Sequence, residues 1–152
     1  MIFINHNQTF YAMDRNAPIS KIMTTNVIAL TLSNSLLDAE QLFKSYKIRH
    51  IPVVRDKDVI GILSLTDLQR ISFVDINSEH EPETQDTYLE NLSVEQVMVK
   101  NPIQIISTKT IKEVAQILSK NEFHALPIVE DHELIGIVTT TDLLNYMIAQ
   151  YN

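Results

Sequence analysis

Short apolar runs and helical stripes alternate along this chain in a fixed order. Residues 27–32 form a short apolar, partly β-branched run, the pattern of a strand. Ser33 and Asn34 then offer an N-cap, after which Leu36, Leu37, Ala39, Leu42, Phe43 and Tyr46 keep helical spacing. Residues 51–54 read as a buried strand, 55–58 as a polar turn, 59–63 as the next strand, and 66 to about 73 as a helix. Upstream, Pro18 is suited to open a helical turn that places Ile19, Ile22 and Met23 on one side. Residues 1–17 read as an arm, whose apolar residues suit a short added strand or a loosely held segment equally well.

The same order then recurs. Gly61 and Gly136, Pro52 and Pro127, Asp67 and Asp142, Met23 and Met98, Asn26 and Asn101, and Ile28 and Ile103 are each 75 positions apart. An offset that holds from the first turn to the last helix marks two gapless copies of one supersecondary unit. In the second copy, residues 89–98 supply the short helix and 103–106 the first strand. Ile111, Val114, Ala115, Ile117 and Leu118 give the helical stripe, 123–129 and 134–138 the paired strands, and 141–151 the last helix. The expected division is an arm (1–17), a first repeat (18–74), a connector (75–90) and a second repeat (91–152). A unit of about 55 residues makes a poor core alone, so the copies should pack together.

Charge sharpens this division. The net charge is -7, and Asp75, Glu79, Glu81, Glu83, Asp86 and Glu90 account for six of those negatives with no Lys or Arg among them. The connector is therefore expected to be acidic and mobile, while the repeats are close to neutral and need not repel a phosphate. No basic stripe favours a nucleic acid strand. The apolar runs are too short to span a membrane, and no basic-then-apolar leader opens the chain, which makes the cytoplasm the expected location. There are 0 cysteines, so disulfides, thiolate metal sites and Cys nucleophiles are excluded. His6, His80 and His132 have no metal-ligand spacing and read as surface residues. Met13, Met23, Met98 and Met147 read as core or interface filler. No nucleophile has a paired base, so no catalytic residue and no metal site are assigned.

The candidate chemistry sits where both copies use their glycine. Gly61 leads through an apolar run to Ser64, Thr66 and Asp67, and Gly136 leads to Thr139, Thr141 and Asp142. Each is a strand running into a helix N-terminus, with hydroxyls and a carboxylate at the junction. The groups can cap the helix. They can also hold an anion and a sugar, since a carboxylate accepts two hydrogen bonds from a vicinal diol while hydroxyls and amides donate to phosphate. Duplicated helices need duplicated caps, so the repeat alone does not decide. Arg49, His50 and His124, cations on expected strands beside apolar residues, favour the ligand. Arg49 could instead pair with Asp67.

The Met23-Thr24 turn, the strands Ile51-Pro52-Val53 and Leu126-Pro127-Ile128, and the paired Gly-apolar-apolar-Ser/Thr-x-x-Asp junctions resemble the cystathionine β-synthase (CBS) domain. Two in tandem resemble the CBS pair, or Bateman module, across residues 19–150. The resemblance implies an α/β (α+β) fold of two β-α-β-β-α repeats, packed sheet to sheet with pseudo-two-fold symmetry around two clefts. It implies an adenine nucleotide or related adenosyl ligand as regulator, with no cofactor required. Asp67 and Asp142 would take ribose, and Ser64, Thr66, Thr139 and Thr141 phosphate. Arg49, His50 and His124 would reach the phosphates, and adenine would lie near Thr25, Val27 and Ile28 or near Lys100, Pro102 and Ile103. Ala125 stands where the first copy has His50, which thins the second copy's basic supply. With Arg49 counted to the Asp67 cleft, that cleft is expected to bind more tightly, and the Asp142 cleft to gain affinity as pH falls.

Two functions follow as expectations. One is a regulatory module that senses an adenine nucleotide and relays occupancy to an unknown target protein. The other is a ligand-free dimeric scaffold that acts through protein contacts. A homodimer is expected in either case. Leu143, Leu144, Tyr146, Met147, Ile148 and Tyr151 make the last helix apolar beyond the stripe one sheet covers, with a counterpart around Leu37, Phe43 and Tyr46.

Overall fold

The computed structural model describes residues 14, 16–74 and 89–151, with side chains described except for 72–74. The arm up to residue 13 and most of the acidic connector lie outside them, and with them the expectation of a mobile linker.

The first repeat forms α1 (Leu36–Tyr46), β1 (His50–Arg55), β2 (Asp58–Ser64) and α2 (Leu65–Val74). The second begins with a short helix α3 (Val94–Val97) and strand β3 (Val99–Lys100). It continues with α4 (Ile111–Ser119), β4 (Ala125–Glu130), β5 (Glu133–Thr139) and α5 (Thr140–Ala149). The mixed helix and antiparallel-sheet fold expected from the sequence is what forms. β1 and β2 make one hairpin, β4 and β5 the other, and both carry a register shift at the same repeat position, Val53/Val54 and Ile128/Val129. The hairpins join edge to edge through Asp58 opposite Glu133, giving the order β1-β2-β5-β4, with β3 added beside β2. Leu134 N–H donates to Lys57 C=O at 3.1 Å and Lys57 pairs with Glu133 at 2.7 Å across the same join.

Helix starts follow their capping residues. Ser35 with Asp38, Ser93 with Gln96, Thr110 with Glu113 and Thr139 with Asp142 are capping boxes, each satisfying two otherwise orphaned amides.

The expected first strand of each repeat contracts to a single residue. Leu30 bridges Val53 and Ile105 bridges Ile128, both in parallel. Leu30 N–H donates to Pro52 C=O and Val54 N–H donates to Leu30 C=O, at 2.9 and 2.8 Å. The next bond toward the N-terminus would need an N–H from Pro52, which has none, and Pro127 stops the second ladder in the same way. The proline that helps define the repeat therefore leaves residues 27–28 and 102–103 outside the ladder.

The two cores exchange their opening turns. The 3-10 turn Ile19–Lys21 buries Ile19 completely, against Ile105, Val114, Leu126 and Ile128 of the second repeat. Leu89, Val94 and Met98 in turn pack with Leu30, Leu36, Phe43 and Leu63 of the first. Burying one Ile or Leu stabilises by about 1.5–3 kcal/mol, so each repeat contributes several such side chains to the other. Phe43 is buried in this core, contrary to its expected place on a dimer face, because its side of α1 turns toward β1. Tyr46 stays exposed, as do Leu144, Met147, Ile148 and Tyr151.

Candidate functional site

The exchange brings the start of one repeat beside the helix N-terminus of the other. Thr24 and Ile137 hydrogen-bond reciprocally at 2.9 and 3.0 Å, which pins the start of the 24–28 segment to β5. Beside this contact lies a cleft of about 730 Å³, a volume suited to a nucleotide-sized ligand. One wall is Thr24, Asn26, Val27 and Ile28, from the segment that Pro52 keeps outside the ladder. A second group is Ile137, Thr139, Thr140, Thr141 and Asp142, where β5 runs into α5. Lys47, Ile48, Arg49, His50, Thr66 and His124 close the third side.

Backbone bonds fix that third side. Leu65 N–H, at the start of α2, donates to Arg49 C=O at 2.9 Å, and Thr140 N–H, at the start of α5, donates to His124 C=O at 3.0 Å. Arg49 and His124 are thereby tied to the two helix N-termini, whose dipoles favour negative charge. His50 is half-buried at the start of β1, and its pKa is held below the usual 6.5, first by burial. The positive fields of His124 and Arg49 add to this, and Asp67 opposes it. Among the described residues, Lys47, Arg49, His50 and His124 form no ion pair with a carboxylate. Asp67 pairs with Arg70 at 3.8 Å rather than with Arg49.

The motif hydroxyls divide into two kinds. Thr139 caps α5: its N–H and Oγ1 both donate to Asp142 Oδ2 at 2.7 Å, and Asp142 N–H returns a bond to Thr139 Oγ1 at 3.3 Å. Ser64 caps α2 similarly, donating to Asp67 Oδ2 at 2.5 Å and accepting from Asp67 N–H at 3.1 Å. Thr66 and Thr141 occupy the second helical position, where neither acts as the cap, and both line the cleft.

The cleft thus gathers Asp142, Thr139, Thr141, Thr66, Arg49, His50, His124, Val27 and Ile28 of the expected residues. Thr25 is exposed and does not line it. Ser64, Asp67, Pro102 and Ile103 lie outside it, at the equivalent positions of the repeat. Arg49, counted from sequence to the Asp67 cleft, lines this one, and with the exposed His124 it reaches solvent rather than sitting among apolar residues. Residues at the starts of both helices, Thr66 of α2 and Thr140 and Thr141 of α5, line the same cleft, and Arg49 comes to it through its bond to the start of α2. Thr24, Asn26, Lys47, Ile48, Ile137 and Thr140 were not singled out. Lys47 ends α1 in a left-handed conformation, φ 53°, and reads in sequence as an ordinary surface lysine. Asn26 carried a signal, since Asn recurs at 101.

Among the described residues, no cluster of three or more His, Asp or Glu could hold a metal ion, and no helix is long and apolar enough to cross a membrane. The family model for the CBS domain matches twice, at residues 19–73 and 94–149. Protein MJ1225 of Methanocaldococcus jannaschii is 29% identical over 135 residues, which are 88% of this chain and 48% of that protein. Its crystal structure superposes with a TM-score of 0.74 over 89% of this chain and 49% of that one, at 26% identity. An inosine-5'-monophosphate dehydrogenase of Halalkalibacterium halodurans is 30% identical over 78% of this chain and 22% of the enzyme. The chain therefore spans less than half the length of these relatives. CBSX2, solved in complex with AMP, matches at a TM-score of 0.73 and 24% identity over 88% of this chain and 97% of that one. With two tandem matches over most of its length and the fold to go with them, this chain belongs to the CBS domain family as a CBS pair.

Proposed function

We propose that the chain is a regulatory module that binds an adenine nucleotide in the cleft at Asp142 and relays occupancy to a partner protein, without catalysing a reaction. The observation that carries this is the convergence of Lys47, Arg49, His50 and His124 on one cavity shared with two helix N-termini. The helix caps explain Ser64, Asp67, Thr139 and Asp142 in a ligand-free scaffold. They do not explain four basic side chains gathered at one cleft with no ion pair to a carboxylate among the described residues, an arrangement that a phosphate would neutralise. Asp142 receives both Thr139 bonds on Oδ2, so Oδ1 remains the acceptor for a ribose diol. Val27, Ile28 and Ile137 offer the apolar surface a purine needs.

The likeness to CBSX2 with AMP, and to MJ0100 with 5'-methylthioadenosine and S-adenosyl-L-methionine at 20% identity, is one of fold. The ligand assignment rests on the residues of the cleft. The exposed Leu144, Met147, Ile148 and Tyr151 of α5 support a homodimer through that helix.

Thermal unfolding with and without ADP tests the reading. A ligand at a hundred times its dissociation constant adds about 2.7 kcal/mol of stability, so a rise of several degrees in Tm is expected, on a sample whose light-scattering mass is that of a dimer. An unchanged Tm with millimolar AMP, ADP and ATP would favour the scaffold, and a monomeric mass would remove the dimer.

A further inference from the structure

The positions 75 residues removed from the lining of the Asp142 cleft do not repeat its charge. Where the Asp142 cleft has Lys47 and His50, the equivalent residues are Glu122 and Ala125. Arg49 and His124 occupy equivalent positions and exchange roles, so each serves both sides. With histidines neutral, the Asp142 cleft holds two positive charges against one negative, and its counterpart one positive against two negatives. Polarity changes in the same direction, because Thr24 and Thr140 are replaced by Val99 and Leu65.

Two other cations near the counterpart do not restore the balance. Arg70 lies 3.8 Å from Asp67 Oδ1 but is largely in solvent, and its equivalent, Asn145, does not line the Asp142 cleft. Lys100 corresponds to Thr25, also outside the lining, and pairs with Glu95 at 3.2 Å. In both repeats the motif hydroxyl bonds the carboxylate through Oδ2, Ser64 on Asp67 and Thr139 on Asp142, and Arg70 stands 3.8 Å from Asp67 Oδ1, beyond hydrogen-bond distance, so Oδ1 can still take a ribose hydroxyl. Val99 and Ile103, at the positions equivalent to Thr24 and Ile28, are about half exposed, at 53% and 50%, which leaves apolar surface uncovered there.

We propose that the two clefts divide adenosyl ligands by charge. The Asp142 cleft takes the phosphorylated ligand, with Lys47 and His50 as the residues that set this specificity. The Asp67 counterpart rejects phosphate and takes an adenosyl compound that lacks it. A diphosphate placed in the counterpart would meet Glu122 and Ala125 where the first cleft offers Lys47 and His50, and discrimination follows from the repulsive Glu122 as much as from the attractive Lys47. An uncharged nucleoside feels neither and keeps the ribose and apolar contacts.

This division rests on the reading that the clefts bind adenosyl ligands, and calorimetry on the full chain separates the two claims. ADP and adenosine are titrated into the wild-type protein and into Lys47→Glu, Glu122→Lys, Asp142→Ala and Asp67→Ala. Lys47 and Glu122 are both exposed, so their exchange should leave the fold intact. Wild-type protein is expected to bind one ADP. Lys47→Glu should weaken ADP about tenfold or more and adenosine less than twofold. Asp142→Ala should weaken ADP and Asp67→Ala adenosine, each leaving the other ligand's affinity intact. Glu122→Lys should add a second ADP site. Two equal ADP sites in the wild-type protein, or an unchanged ratio of ADP to adenosine affinity in Lys47→Glu, would overturn the division and leave nucleotide binding standing. Absence of heat from both ligands would overturn nucleotide binding itself, and the division with it.

Discussion

His50 concentrates the electrostatics of the site in one side chain. It is half-buried on β1 and faces His124, Arg49 and Asp67, and the net effect is a pKa below the usual 6.5. As pH falls, the unfolded chain therefore takes the proton before the folded one does. The stability contributed by neutral His50 is full above the unfolded value and is lost as pH falls through the folded one. A phosphate in the cleft reverses the preference, because it favours imidazolium, so binding ADP should take up a proton. ADP affinity is expected to rise between about pH 8 and pH 6, with a binding enthalpy that follows the ionisation heat of the buffer. His50→Gln should reduce both effects and raise stability on the acid side. An affinity independent of pH in the wild-type protein would remove His50 from the phosphate subsite. The position was legible in sequence as one of three cations ahead of buried strands. Its partners were not, because which cations share a cavity depends on contacts between repeats.

The elements show why the chain's two glycines recur at the same place. A Cβ built on Gly61 would lie 2.3 Å from Met98 Sδ, and one on Gly136 2.9 Å from Met23 Sδ and 3.2 Å from Thr24 C=O. Each glycine makes room for the methionine of the other repeat's exchanged segment, and neither has a positive φ. Gly61→Ala is expected to destabilise by about 1–3 kcal/mol, measured by denaturant unfolding, and by more than Gly136→Ala. The difference arises because Met98 is nearly buried whereas Met23 can yield toward solvent. Met98→Ala should recover much of the loss in a double-mutant cycle, and additive effects would contradict the contact. The helices, hairpins and tandem repeat were readable because apolar spacing, caps and turns act locally. The contraction of the first strands to Leu30 and Ile105 was not, although its cause, Pro52 and Pro127, stood in plain view. The missing bond belongs to a partner strand that local pattern does not reveal.

At the scale of the whole molecule, the repeats are joined through their cores as well as along the sheet. Ile19 and Met23 complete the second core, Leu89, Val94 and Met98 complete the first, and one wall of the cleft lies on the same crossing segment, at residues 24–28. A ligand held between Asn26 and Asp142 touches both repeats at once, so its occupancy bears on how the repeats are held together, the property a relay to a partner protein requires. The same exchange explains why the sequence did not place Arg49 in the Asp142 cleft, which it lines: positions along one repeat do not reveal which residues of the other lie beside them. An amide-resolved NMR titration with ADP tests the central claim most directly. Saturable shifts are expected, concentrated at Thr24, Asn26, His50, Thr66 and the 139–142 turn, with those at Ser64 and Asp67 smaller. Saturable shifts confined to surfaces away from this cleft, or none at millimolar ADP, would contradict it.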